Sequence, residues 1–173
     1  MRQKITELTL LSQCALADNR QAFGRLVEMH QAKVRRFLLN LTRGDAALTD
    51  DLAQETFLKA WITVRSFQGL SNFTTWLYRI AYNEYLAHLR RRREDSLPAG
   101  FDAISEPGEA DDRRPTLLEE IERLTEPTRT IVLLFYSEDR SVKEISRIMD
   151  LPLGTVKVYL TRGRETLKKK FQK

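Results

Sequence analysis

The chain has one cysteine, Cys14, and two histidines, His30 and His88, among its 173 residues. A lone thiol forms no intramolecular disulfide and no thiolate metal cage. Neither histidine stands at ligand spacing from the cysteine or from the other histidine, so no zinc-type site is predicted. The few glycines and prolines assemble no Walker loop, no dinucleotide-binding glycine pattern and no Gly-x-Ser-x-Gly elbow. No apolar run approaches a membrane span; the longest strong one is Ile131-Val-Leu-Leu-Phe-Tyr136. The opening Met-Arg-Gln-Lys-Ile-Thr-Glu lacks the apolar core and small-residue cleavage site of a signal peptide. Together these absences predict a cytoplasmic protein with no cofactor, no metal and no catalysis of its own. Asp50-Asp51 with Glu55 is the one carboxylate group that invites an acid/base or magnesium reading. Adjacent helical residues point about 100° apart, however, and acids in a helix's first turn are explained by its dipole.

What is present is charge and apolar periodicity. Hydrophobic residues make up 42% and charged residues 31%, the balance of a soluble globular chain with material for one domain or two small ones. The net charge of +5 is modest, but the charges are sorted along the chain. From Lys157 to Lys173 seven Lys or Arg stand against one acid, Glu165, and Arg90-Arg91-Arg92-Arg93 form a second basic cluster. Between Ser96 and Pro115 five acids face two arginines. Two basic patches flanking an acidic spacer point to two contacts with a polyanion.

Helical spacing recurs throughout and no strand-period segment or repeat stands out. A first helix is predicted over 5–19, with Ile5, Leu8, Leu11 and Leu16 apolar, and a second over 21–41. Arg43-Gly44-Asp45 is a stop signal. The third helix is expected to start at Thr49 or Asp50 as N-cap and to run through Ala53, Phe57, Ala60, Trp61 and Val64. Ser66 to Asn72, with Gly69, reads as a loop, and Phe73 to about Arg92 as a fourth helix. Residues 96–115, with Pro98, Gly100, Pro107, Gly108 and Pro115 among acids, read as a flexible linker. Beyond it Leu117, Leu118, Ile121 and Leu124 make one apolar stripe, and Thr125-Glu-Pro-Thr128 starts a helix whose buried face is Ile131 to Tyr136. The expectation is all-α, with two small domains, 1–95 and 116–173, on a tether.

Ser141 opens the clearest local pattern, with Glu144 at capping-box spacing. Glu144-Ile-Ser-Arg-Ile-Met-Asp-Leu-Pro-Leu-Gly-Thr-Val-Lys-Val-Tyr-Leu-Thr-Arg-Gly-Arg-Glu-Thr-Leu167 reads as two short helices around a Pro/Gly turn, the layout of a helix-turn-helix. Thr155 is a candidate N-cap of the second helix. Lys157, Thr161, Arg162 and Arg164 offer donors to phosphates and base edges. An antiparallel helix pair with a solvated basic face is the plainer alternative. Two further stretches resist a purely structural account. Asp51, Gln54, Glu55 and Lys59 form a polar stripe on the third helix. Aromatic residues between Phe67 and Trp76 border a small polar loop ahead of the arginine-rich helix, an arrangement used to stack bases of single-stranded nucleic acid.

These residues carry a resemblance. Asp51-Leu-Ala-Gln-Glu-Thr-Phe-Leu-Lys-Ala-Trp61 resembles the clamp-binding helix of the extracytoplasmic-function (ECF) sigma factors, the smallest sigma-70 group. Phe73-Thr-Thr-Trp-Leu-Tyr-Arg-Ile-Ala81 resembles their promoter-melting segment. Leu151-Pro-Leu-Gly-Thr-Val-Lys157 with Arg162-Gly-Arg164 resembles their recognition helix. The resemblance implies a dissociable subunit of core RNA polymerase that recognises minus-35 and minus-10 promoter elements and initiates transcription. Asp51, Gln54, Glu55, Phe57 and Lys59 would bind the clamp helices of the largest subunit. Phe67, Gly69, Ser71, Asn72, Phe73, Arg79, Asn83 and Arg90 would capture the minus-10 element as single strand. Thr155, Lys157, Val158, Thr161, Arg162 and Arg164 would read the minus-35 duplex while the domain rests on the flap of the second-largest subunit. An anti-sigma factor is implied as a further partner. The other reading is a helix-turn-helix regulator that binds DNA without polymerase.

The chain also departs from the family's pattern. Val158 and Tyr159 stand where Ser and Arg are common, and Gly163 replaces an Ala, a change expected to weaken the helix by roughly 1 kcal/mol. Asp150 stands where the turn usually has Gly, and Asp tolerates positive φ better than most residues. Tyr82 takes the place of the Arg in the family's Arg-Asn pair, which leaves Arg79 as a substitute contact.

Overall fold

The computed structural model describes residues 2–95 and 116–171, with side chains for 6–94 and 116–170. The linker assigned to 96–115 lies outside the described residues. Eight α-helices and no strand are found among those that are described. They run α1 (Arg2–Ala17), α2 (Arg20–Leu41), α3 (Ala46–Thr63), α4 (Phe73–Asp95), α5 (Leu117–Glu122), α6 (Glu126–Tyr136), α7 (Val142–Met149) and α8 (Leu153–Phe171). No described helix is long and apolar enough to cross a membrane.

In the N-terminal unit the helix boundaries follow local chemistry. Asn19 caps α2, its side-chain oxygen accepting from the Ala22 N–H at 3.0 Å. Arg43 and Gly44 then take positive φ, 57° and 86°, and turn the chain. The third helix begins a turn earlier than its Thr49 or Asp50 start, because Asp45 is the cap and accepts from the Leu48 N–H at 3.0 Å. Thr49 instead points inward, donating to the Asp45 carbonyl at 2.6 Å and pairing with the Thr42 hydroxyl at 2.7 Å. The first helix buries Leu10, Leu11 and Cys14, whereas Leu8 and Leu16 face solvent, Leu16 at 86% exposure. Phe37, Leu38, Leu77, Tyr78 and Ala81 form the centre, where α2 packs on α4 with Phe37 stacked on Tyr78 at 4.6 Å.

In the C-terminal unit Thr116 and Glu119 form a capping box at the start of α5. Leu117 and Leu118 are exposed, so only Ile121 and Leu124 of that stripe face inward. Pro127 sits in the first turn of α6, where a missing N–H costs nothing. Its buried run is Thr128 to Leu134; Tyr136, placed on the buried face from sequence, is 58% exposed at the last residue of α6, where its hydroxyl meets Arg164 of α8. Ser141 and Glu144 cap α7 reciprocally, as their spacing predicts. Asp150 closes α7 in the left-handed region, φ 56° and ψ 43°. The second helix of the pair starts at Leu153, so Thr155 lies inside its first turn rather than at its cap.

Gly163 has a different meaning from the one its helix propensity gives. It is buried where α8 crosses α6, and a Cβ there would meet Val132 Cγ2 at 2.8 Å and Thr128 Cγ2 at 3.0 Å. Both neighbours are β-branched and stiff. Gly163→Ala gains about 1 kcal/mol of helix propensity but overpacks this crossing at a cost of roughly 1–3 kcal/mol. Net destabilisation is expected in urea unfolding, against the propensity ranking.

His30 is buried between α1 and α4, edge-on to Phe73 at 5.3 Å, with Nδ1 3.3 Å from the Thr74 hydroxyl. Its Nε2 lies 3.4 Å from Glu7 Oε2 without the alignment of a hydrogen bond. Burial, and then the nearby Lys33 ammonium, lower the imidazole to about 4. Since its folded value lies below the ordinary one near 6.5, the unfolded chain binds more protons between those limits. Stability contributed by neutral His30 is present above pH 6.5 and is lost as pH falls toward 4. Urea midpoints measured across that window should fall less steeply for His30→Gln than for the native chain.

Candidate nucleic-acid interface

The recognition face predicted on α8 is assembled and open. Ile145, Ile148 and Met149 of α7 and Val156 and Leu160 of α8 are buried, leaving Lys157, Val158, Thr161 and Arg162 together on the outer surface, where they line a shallow hollow. Thr155 is half-buried beneath them. Arg164 is exposed but engaged: its Nε donates to the Tyr136 hydroxyl at 2.6 Å, and its guanidinium lies 5.1 Å from the Phe135 ring centroid. It therefore extends the basic surface toward the end of α6. Lys168, Lys169 and Lys170 continue it along α8.

The polar stripe on α3 is also exposed. Asp51, Gln54, Glu55 and Lys59 share an outer face, with Leu58 and Ile62 also exposed on the helix. Phe57 is half-buried and packs on the core. Lys59 is not entirely free, since its Nζ lies 2.6 Å from the buried carboxylate of Glu84 on α4. Exposed aliphatic residues among acids and amides form the kind of surface that a partner covers.

The loop between α3 and α4 is built on an aromatic cluster. Phe67 lies edge-on to Phe73 at 5.4 Å and tilted to Trp76 at 5.5 Å, while Phe73 stacks on Trp76 at 5.4 Å. Phe73 is 2% exposed, so its ring belongs to the core, and Phe67 and Trp76 are the half-buried rings that reach the surface. Gly69 takes φ 69°, turning the loop so that Ser71 and Asn72 lead into α4. Phe67, Ser71, Trp76 and Arg79 line an open cavity of about 320 Å³. Asn83 and Arg90 lie further along α4, exposed and outside that cavity.

That cavity has a lining residue from the other unit, which sequence reasoning did not place there. Arg147 of α7 reaches the loop, its Nη1 donating to the Leu70 carbonyl at 2.7 Å. Glu144 Oε1 accepts from the Thr75 hydroxyl at 3.1 Å and from Asn72 Nδ2 at 3.4 Å, and Asp150 Oδ1 lies 3.4 Å from Arg79 Nη2. Burial would raise the Glu144 carboxyl, but hydrogen bonds from Ser141 and Thr75 and the charge of Arg140 outweigh it and hold the group below its ordinary value.

Behind these contacts the two units share buried charge. Arg129 of α6 is 2% exposed and donates to the Asn40 and Leu41 carbonyls at 3.0 Å each and to the Tyr85 hydroxyl at 3.1 Å. Glu138, also 2% exposed, accepts from Arg36 through both oxygens at 2.9 and 2.7 Å and from the Tyr78 hydroxyl at 2.6 Å. Burial and then that carboxylate push the Tyr78 phenol well up. Tyr82, noted for standing in an arginine's place, is buried and donates to Glu126 at 3.4 Å. Nothing in the sequence marks Arg129 or Glu138 as buried. The one available signal was Asp150, an acid where a glycine is usual.

A helical pair of units, one a basic helix-turn-helix and the other an aromatic-lined polar loop beside an acidic helix face, defines a transcription-factor class. The Sigma-70 region 2 family model matches residues 26–94 and the Sigma-70, region 4 model matches residues 115–167. The chain is 30% identical over 171 residues to the ECF RNA polymerase sigma factor SigW of Bacillus subtilis, covering 89% of this chain and 91% of that one. It is 33% identical to the ECF RNA polymerase sigma-E factor of Haemophilus influenzae, covering 99% and 98%. Its fold is similar to that of the sigma factor RpoE crystallised with the anti-sigma factor NepR from Bartonella quintana, at TM-score 0.67 and 25% identity over 87% of this chain and 96% of that one. This protein belongs to the ECF sigma factors of the sigma-70 family.

Glu138→Ala leaves the buried Tyr78 hydroxyl without its best acceptor and Arg36 without its partner. A loss of about 1–3 kcal/mol is expected in urea unfolding, most of it recovered in Glu138→Gln, which retains an acceptor oxygen.

Proposed function

We propose that this chain acts in the cytoplasm as an alternative sigma factor, binding core RNA polymerase and directing it to a specific set of promoters. The observation that carries the reading is the coexistence, in family order, of an exposed α3 stripe, an aromatic loop at the start of α4 and an open basic face on α8. A polymerase-independent regulator would need the last of these alone.

The units divide the work at the acidic linker, residues 96–115. The first, residues 1–95, binds the clamp helices of the largest polymerase subunit through Asp51, Gln54, Glu55, Phe57 and Lys59. The exposed stripe supplies charge and amides while Leu58 and Ile62 beside it supply apolar area. The same unit captures the minus-10 element. Unstacking bases costs a few kcal/mol, offset by the cavity lined by Phe67, Ser71 and Trp76 beside the turn at Gly69 and by the half-buried rings at its edge. Asn72 and Arg79 hold the strand at the cavity, and Asn83 and Arg90 track its backbone along α4. Phe73 supports the cavity from beneath.

The second unit, residues 116–173, sets α8 in the major groove of the minus-35 element, resting on the flap of the second-largest subunit. Lys157 and Arg162 supply charge, Thr161 a hydroxyl, and Val158 an apolar contact suited to a thymine methyl. Thr155 positions the first turn, and Arg164, steered by Tyr136, meets phosphate. An anti-sigma factor is the natural antagonist. No step in this activity is catalysed by the chain itself.

The purified chain mixed with core RNA polymerase should give promoter-specific run-off transcripts; failure to associate with core at moderate salt would sink the assignment. Arg162→Ala should weaken binding to the minus-35 duplex by about 1–3 kcal/mol, selectively at one base pair, if it reads that base bidentately. Equal loss on all sequences, with a shallower salt slope, would assign it to phosphate instead.

A further inference from the structure

One residue of the α3–α4 loop is out of character with its neighbours. Leu70 is 75% exposed, although it lines the same open cavity as Phe67 and Trp76. Those two rings are held in place, each lying 5.4 Å from Phe73 and packing on the core. Gln68, Ser71 and Thr75, which also line the cavity, are polar. Leu70 is therefore its one aliphatic lining residue. Gly69 puts it there, because at φ 69° the backbone turns through the left-handed region just before Leu70. A Cβ on Gly69 would meet nothing within 4 Å, so this glycine serves the turn and not a close approach.

An exposed leucine is ordinary by itself, since every protein surface carries some apolar side chains. What distinguishes Leu70 is its place beside a cavity proposed to take an unstacked base. Taking a base out of a duplex leaves a gap in the stack, and the pair re-forms unless the gap is occupied. Proteins that kink DNA hold such steps open with apolar wedges, leucine among them. A wedge must be apolar, narrow, not already packed into its own core, and next to the pocket that receives the base. Phe67 and Trp76 fail the third condition, and Gln68, Ser71 and Thr75 fail the first. Leu70 meets all four.

We propose that Leu70 is the strand-opening wedge of this sigma factor. It enters the base stack at the edge of the minus-10 element and fills the place left by the base that moves into the cavity. The inference rests on the assignment of the loop from Phe67 to Phe73 as the strand reader. A division of labour follows from the chemistry. Ser71, Asn72 and Arg79 engage polar groups of a strand that has already left the duplex. Leu70 offers no hydrogen bond and reads no base. It contributes to opening the duplex and not to holding a strand that is open beforehand. Being apolar, its contribution is not screened by salt.

The test uses holoenzyme assembled from the full chain and core RNA polymerase, on one promoter fragment in two forms. The first form is fully paired. The second keeps the same non-template strand over a mismatched template strand across the minus-10 element, so that it is open beforehand. Leu70→Ala removes the wedge and Leu70→Met restores apolar volume; the position is exposed, so neither change reaches the core. Permanganate reactivity of thymines in the opened region and run-off transcripts are the readouts. On the paired fragment Leu70→Ala should lower both by about tenfold, part of the cost of unstacking one step. The loss should persist as salt is raised, and Leu70→Met should recover most of it. On the mismatched fragment the native chain and both variants should not differ. Equal loss on the two forms overturns the proposal by assigning Leu70 to strand or polymerase binding. No loss on either form overturns it by leaving the side chain merely solvated. The native chain checks the sigma reading separately. If it directs core polymerase to no promoter fragment, paired or mismatched, that reading fails and the wedge fails with it, whereas native transcription with an undiminished Leu70→Ala rejects the wedge alone.

Discussion

The arrangement of the two units depends on the guanidinium of Arg129. It enters the end of α2 as a cation with no carboxylate among its hydrogen-bond partners and finds two backbone carbonyls, Asn40 and Leu41, that the helix itself cannot satisfy. A helix C-terminus carries about half a negative charge, so the site is electrostatically matched to a single arginine. Its Nε has no partner, which leaves the group short of full satisfaction. Burying a cation on these terms is costly, and the cost is met only while α6 lies against α2. Glu138 repeats the logic with opposite sign at the far end of α6, where Arg36 and Tyr78 receive it. Between them the two charges fix the direction and the register of the packing.

These fixed points place the rest. With α6 held, α7 lies on the start of α4 and α8 faces away from the N-terminal unit. The exposed stripe of α3 lies on neither packed face. Three distinct surfaces are thus presented by one arrangement of short helices, and two of them, the polar stripe of α3 and the outer face of α8, are exposed. The arginine-rich C-terminal end of α4 lies about 25 Å along the helix axis from the loop at its start.

The elements governed by local chemistry were legible in the sequence. The capping box of Ser141 and Glu144, the proline in the first turn of α6 and the stop at Arg43-Gly44 act within a few residues, and each is found where its pattern places it. Errors arose where two local solutions competed. Asp45 and Thr49 can both cap, and the choice fell to Asp45 because the Thr49 hydroxyl is consumed inside. Apolar spacing named Leu8, Leu16, Leu117 and Leu118 as inward residues, but short amphipathic helices offer more apolar positions than the packing covers. The polar stripe and the recognition face were readable as exposed surfaces. The junction between the units was not, because Arg129, Glu138 and Asp150 carry the residue types of a solvated surface. Only their three-dimensional partners give them another meaning.

Gly163 gives the recognition helix a fixed seat. With no side chain between them, α8 rests directly on Val132 and Thr128, leaving no soft layer in which it can slide or roll. The height of the face that carries Lys157, Thr161 and Arg162 is therefore set by two residues on the opposite side of the domain. If that face reads a duplex as proposed, its base preference has a lever outside it: widening position 128 or 132 would lift the helix without altering any group on the reading surface.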